Sequence, residues 1–133
     1  MPHVSLSIDW LEELRFRNSD GSPQIEMASS VPGITSPPQA LAYAVMACTA
    51  MDVVHILNKG RQDLRALKVK FEGERAETHP RRFVSMHLHF EVTGSVEEHA
   101  VERAIELSKT TYCSVWNSLR TDIALTTTFT VGA

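Results

Sequence analysis

Apolar and polar residues alternate from Val4 through Leu6, Ile8 and Trp10, with Ser5, Ser7 and Asp9 between them. That is the period of a strand with one buried face. Leu14 and Phe16, spaced by Arg15 and Arg17, predict a second strand that stops at the turn sequence Asn18-Ser19-Asp20-Gly21. A short third strand over residues 24–28 would complete an antiparallel N-terminal sheet. Residues 29–36, with Pro32 and Gly33, read as a loop. Ser36-Pro37 then starts a helix: a hydroxyl for the free N–H groups, and a proline where its missing N–H costs nothing. The helix runs to about Lys59, with Gly60 as its stop. At 1.5 Å per residue it is roughly 36 Å long. Its first half, from Ala40 to Ala47, is apolar on every side, the pattern of a helix buried all round. A chain of this size struggles to surround such a helix, so a dimer is expected.

Two long strands follow. Leu67, Val69 and Phe71 alternate with Lys68, Lys70 and Glu72. Val84, Met86, Leu88, Phe90 and Val92 alternate with Ser85, His87, His89 and Glu91. The turn between them lies near Thr78-His79-Pro80. Gly94-Ser95 is expected to open a second helix. Ser95 and Glu98 would form its capping box, and Val101, Ala104, Ile105 and Ser108 its inner stripe. A short helix is expected from about Cys113 to near Arg120. A last strand takes in Ile123, Leu125, Thr127, Phe129 and Val131. The fold class is α+β: three strands, a long helix, two strands, a helix pair and one strand. A single domain over residues 1–133 is expected, with no repeats and no linker.

Composition narrows the function classes. The chain has 133 residues, is 43% hydrophobic and carries a formal net charge of −3. It is not basic enough to point to nucleic acid or an anionic membrane. Met1-Pro2-His3-Val4-Ser5 lacks the pattern of a signal peptide, and the longest apolar run, residues 40–51, is short for a bilayer, which needs roughly 20 residues. A cytoplasmic protein is expected. Its only two cysteines, Cys48 and Cys113, stand far apart in the sequence. In a reducing compartment such a pair is either two small buried hydrophobes or a redox couple.

Specific words break that tie. Ser36-Pro37-Pro38-Gln39-Ala40-Leu41 precedes Ala47-Cys48-Thr49-Ala50-Met51-Asp52-Val53-Val54 on one helix, and Lys59-Gly60-Arg61-Gln62-Asp63 follows. Later come Leu88-His89-Phe90-Glu91-Val92-Thr93-Gly94 and Lys109-Thr110-Thr111-Tyr112-Cys113-Ser114-Val115. These words, in this order, resemble the OsmC/Ohr family over nearly the whole chain, and within it the YhfA-like branch. The resemblance implies an OsmC-like fold in an intertwined homodimer, with the long helices at its centre. In the hydroperoxide-reducing branches the mid-helix cysteine attacks the peroxide as a thiolate and becomes a sulfenic acid. The second cysteine condenses it to a disulfide, and a thiol reductant, lipoyl-type in some members, restores the pair. Carried over, Cys48 attacks and Cys113 resolves. No cofactor is expected.

The residues themselves add a second view. Cys113, at the expected start of a short helix, should have its pKa lowered by free N–H groups and the dipole. Cys48 lies 12 positions past Ser36, beyond the first turn, and Asp52, one helical turn on, would raise its pKa. The peroxide-reducing branches use an arginine held by a glutamate ten positions before the attacking cysteine; here Pro38 stands there. Gln39 is adjacent but on the opposite helix face. Arg15 and Arg17, on one strand face, are candidates for the missing cation, or else solvated hairpin charges. His87 and His89 share a face as two metal ligands might, but no third ligand stands near them, so no metal is expected. His55 packs or serves as a base, Tyr112 and Trp116 line a wall or core, and Arg81-Arg82 is a solvated turn. Two functions follow: a thiol-dependent protein reducing organic hydroperoxides, or a non-catalytic dimer binding a small apolar ligand with inert cysteines.

Overall fold

A computed structural model describes all of residues 1–133. The chain divides into two compact units, Met1–Tyr43 and Ala44–Ala133. In the first, strands β1 (Ile8–Glu12), β2 (Arg15–Asn18) and β3 (Glu26–Ala28) form an antiparallel sheet in the order β1-β2-β3. Trp10 faces Phe16, and Phe16 faces Met27. The first strand starts at Ile8 rather than Val4, and the buried face expected of it is not found within one chain: Val4, Leu6, Ile8 and Trp10 are all exposed. Arg15 and Arg17 turn toward Glu26, at 3.2 and 3.8 Å, and Arg15 also meets Glu12 at 3.0 Å.

Helix α1 (Pro37–Lys59) starts where the Ser-Pro pair puts it. The Ser36 hydroxyl accepts from the Gln39 N–H, and the Gln39 side chain returns to the Ser36 N–H, a reciprocal cap. The helix is long and apolar enough, by length and composition, to cross a membrane. The all-round burial expected of its first half, residues 40–47, is not met within a single chain. Ala42, Val45, Thr49, Val53 and Leu57 form one buried stripe at helical spacing, while Tyr43 and Met51 are 60% and 69% exposed.

In the second unit, β4 (Asp63–Arg75), β5 (Phe83–Ser95) and β6 (Ala124–Gly132) form a sheet in that order; β4 runs antiparallel to β5, and β6 parallel to it. A parallel neighbour needs a crossover, supplied here by α2 (Glu98–Leu107) and the segment carrying Cys113. Met86, Leu88, Phe90 and Val92 on one face of β5 meet Val45, Val53 and Leu57 of α1 and Val101, Ala104 and Ile105 of α2 in one core. The other β5 face uses its histidines structurally. His87 bonds Thr126 at 2.7 Å, and His89 bonds Thr128 at 2.6 Å, each its register partner on β6.

Two local expectations fail for identifiable reasons. Ser95 and Glu98 make no capping box: Gly94 and Ser95 still belong to β5, and the helix cap is Glu97, with no side-chain bond. The Glu97 N–H is served instead by the Gln62 side chain at 2.9 Å. Gly94 has φ +137, and a Cβ there would meet the Asp63 carbonyl oxygen at 2.0 Å, so the glycine permits close strand approach rather than opening a helix. Nor does Cys113 begin a helix. It ends a π-helical turn, Ser108–Tyr112, closed by its own N–H donating to the Ser108 carbonyl at 2.8 Å. Only a three-residue 3₁₀ turn, Trp116–Ser118, follows.

Candidate functional site

Helical spacing puts Cys48, Thr49, Asp52 and Val53 along the inner side of α1. The π-helical turn adds one residue to the α2 register and delivers Cys113 to the same place. Cys48 Sγ, Cys113 Sγ and a carboxylate oxygen of Asp52 lie within 4.8 Å of one another. Both thiols are free. Cys48 is half-buried and Cys113 fully buried.

The two sulfurs have different surroundings. Around Cys48, burial raises the thiol pKa, but hydrogen bonds from the Val115 backbone, the Cys113 thiol and the Ser114 side chain outweigh it. The pKa is lowered overall, against the opposing charge of Asp52. Around Cys113, burial dominates and raises the pKa, although the Trp116 N–H donates to its sulfur at 3.3 Å and the Thr49 hydroxyl at 3.8 Å. This reverses the order expected from the sequence. The dipole argument for Cys113 loses its basis because no helix starts there. Cys48 gains donors from residues 113–115, which only the tertiary fold brings near.

Asp52 behaves as its spacing suggests, raising the Cys48 pKa. Its partner was not legible as such: the fully buried Ser108 hydroxyl donates to Asp52 Oδ2 at 2.7 Å. The signal was a polar residue in the otherwise apolar stripe of α2. Thr49, buried within an apolar helix, is a similar signal. Arg15 and Arg17 are engaged by acidic residues of their own sheet. A cavity of about 540 Å³ reaches the site at Asp52, and His55, Ile56, Lys59, Arg103 and Tyr112 are among its other lining residues; neither cysteine lines it. His55 is exposed on its wall rather than packed, and Trp116 packs against the core. Of the turn pair Arg81-Arg82, Arg82 pairs with Asp122 at 3.6 Å.

A paired thiol site on a long helix, joined to a six-strand α+β architecture, defines a class, and comparison with known proteins agrees. The OsmC-like protein profile matches residues 30–128, and the chain belongs to that family. It is 40% identical over 129 residues to Protein YhfA of Escherichia coli strain K12, covering 95% of this chain and 96% of that protein. A hypothetical protein from Aquifex aeolicus VF5 has the same fold, with a TM-score of 0.90 at 27% identity over 98% of this chain and 97% of that one. A structure from Legionella pneumophila, described as an organic hydroperoxide resistance protein OsmC and predicted redox protein, shares the fold. Its TM-score is 0.74 at 17% identity, covering 98% of this chain and 99% of that one. Family membership and the neighbouring cysteines together suggest a redox or stress role.

Proposed function

We propose that the protein is a thiol-dependent peroxidase that reduces organic hydroperoxides through Cys48 and Cys113. The observation that carries this reading is the asymmetry of two neighbouring thiols. The half-buried one has a lowered pKa, and the buried one a raised pKa. An attacking thiol must be a thiolate and reachable; a resolving thiol must be near and held in reserve. Cys48 thiolate attacks the outer peroxide oxygen, the O–O bond breaks, and the alcohol leaves with a proton. The resulting sulfenic acid condenses with the Cys113 thiol, forming the disulfide and releasing water. A dithiol reductant of lipoyl type returns both sulfurs to thiols and is itself oxidised to a disulfide.

Donors from residues 113–115 take the place of an arginine held by the glutamate at whose position Pro38 stands. The apolar part of the cavity, Ile56 and Tyr112, favours an organic peroxide over hydrogen peroxide. The reading includes an intertwined homodimer in the cytoplasm, with no nucleic-acid or membrane partner. The exposed Tyr43 and Met51 of α1 and the exposed apolar residues of β1 support the dimer by giving a second chain apolar surface to cover.

The test treats reduced protein with one equivalent of cumene hydroperoxide and looks by mass spectrometry for a Cys48–Cys113 bridge. Loss of two hydrogens in the wild type is expected, with a trappable sulfenic acid on Cys48 in C113S and no reaction in C48S. If neither thiol oxidises faster than a free thiol, the protein is the non-catalytic dimer instead.

A further inference from the structure

Three groups able to carry negative charge converge in the second unit. Cys48, Cys113 and Asp52 present their ligand atoms within 4.8 Å of one another. Two thiolates and a carboxylate this close, with one sulfur fully buried, need protons or a cation to neutralise them. We propose that the reduced protein binds a thiophilic divalent cation, zinc(II) above all, through Cys48, Cys113 and Asp52, with one coordination position open.

The donor set suits that ion. Zinc accepts thiolate sulfur and carboxylate oxygen together, and three protein ligands with an open fourth position is one of its common arrangements. Some point lies within about 2.8 Å of all three donor atoms, while zinc asks for about 2.3 Å to sulfur and about 2.0–2.2 Å to oxygen. Side-chain rotation of a few tenths of an ångström at each ligand closes that gap. Outer contacts are already in place. The buried Ser108 hydroxyl fixes Asp52 at 2.7 Å, and the Trp116 N–H and Thr49 hydroxyl point at Cys113 Sγ. Asp52 also lines an open cavity, so one of the three ligands faces space from which an ion can arrive.

Such a site is tied to the oxidation state of its ligands. Two thiolates, one organic hydroperoxide and two protons give the disulfide, the alcohol and water. The sulfurs are oxidised, the peroxide oxygen is reduced, and both thiolate ligands are lost. Zinc would therefore be held by the reduced form and released on oxidation. This goes beyond the peroxidase reading and needs only reduced thiols, so it can fail while that reading stands, and the reverse.

The experiment uses full-length protein, reduced and stripped of metal under nitrogen, titrated with cobalt(II) and then competed with zinc(II). Expected are one equivalent of cobalt and near-ultraviolet thiolate-to-cobalt charge-transfer bands that zinc abolishes. C48S and C113S should each show about half the band intensity. D52N should keep the two-thiolate intensity but bind zinc at least about tenfold more weakly, with a smaller weakening in S108A. Wild-type protein carrying the Cys48–Cys113 disulfide, formed with diamide and verified by mass, needs no substitution and should bind neither metal at this site. Reduced wild type without charge-transfer bands, D52N with unchanged zinc affinity, or oxidised protein that still binds would each overturn the proposal.

Discussion

The bond from Ser108 to Asp52 can be weighed directly. Ser108 is fully buried at the end of α2, and its hydroxyl donates to the Asp52 carboxylate at 2.7 Å. Ser108→Ala removes one hydrogen bond to a charged acceptor, worth about 1.5–3 kcal/mol. Asp52 is only half-buried, so water replaces part of what is lost, and the lower end, about 1.5 kcal/mol, is expected. Asp52→Ala instead strands a buried hydroxyl, at a cost of about 1–3 kcal/mol. That cost is moderated because the hydroxyl can turn back toward the Ala104 carbonyl, which already accepts the Ser108 N–H. The double variant has neither stranded partner and should lose about 2 kcal/mol, less than the two single losses together. The coupling energy is therefore about 1 kcal/mol. Urea unfolding followed by tryptophan fluorescence measures it, at one fixed protein concentration because assembly would shift the midpoint. Losses that add to within about 0.5 kcal/mol would show that the two side chains act independently, and the positioning role given to Ser108 would be wrong.

The remaining expectations concern the sulfurs and the core. Asp52→Asn removes the charge that opposes the Cys48 thiolate, so iodoacetamide should alkylate Cys48 faster at neutral pH. A like charge at this range is worth about 1 kcal/mol in water, and the lower nucleophilicity of a more acidic thiol trims the gain to about two- to threefold. A slower rate would mean that Asp52 helps rather than restrains. In the wild type, alkylation of Cys48 should rise with pH at lower pH than that of Cys113, because the first pKa is lowered and the second raised. Peptide mapping across a pH series checks the order, and Cys113 reacting first would invert the assignment of roles. Phe90→Ala, at a fully buried position where α1, α2 and β5 meet, should cost about 3–5 kcal/mol in urea unfolding. A loss below about 1 kcal/mol would mean that the core is not where these contacts put it.

Much of the fold was legible because local period and burial agree. β5 buries Met86, Leu88, Phe90 and Val92 and turns Ser85, His87, His89 and Glu91 away, as its alternation predicts. The Ser36-Pro37 start and Gly60 stop of α1 are written in residues whose effects are local. The failures are long-range. Gly94 looked like a helix opener, but its φ and its contact with Asp63 belong to strand pairing, and the cap it seemed to announce was pre-empted by Gln62 from another element. The first half of α1 is apolar all round and predicts burial on every side; within one chain the helix buries a single stripe.

The site was legible as a pair of positions but not as a pair of acidities. Spacing alone places Asp52 one turn from Cys48 and foretells its unfavourable charge. It does not reveal that the same fold turns Val115, Ser114 and Cys113 toward Cys48, because those contacts depend on one extra residue in the π-helical turn before Cys113. That turn is therefore the element on which the proposed chemistry depends. It brings the second sulfur within 4.8 Å of the first, buries it, and leaves its neighbours to stabilise Cys48 as a thiolate. Under the proposed reading, nucleophile and reserve are distinguished by which sulfur the backbone faces and which one the core encloses.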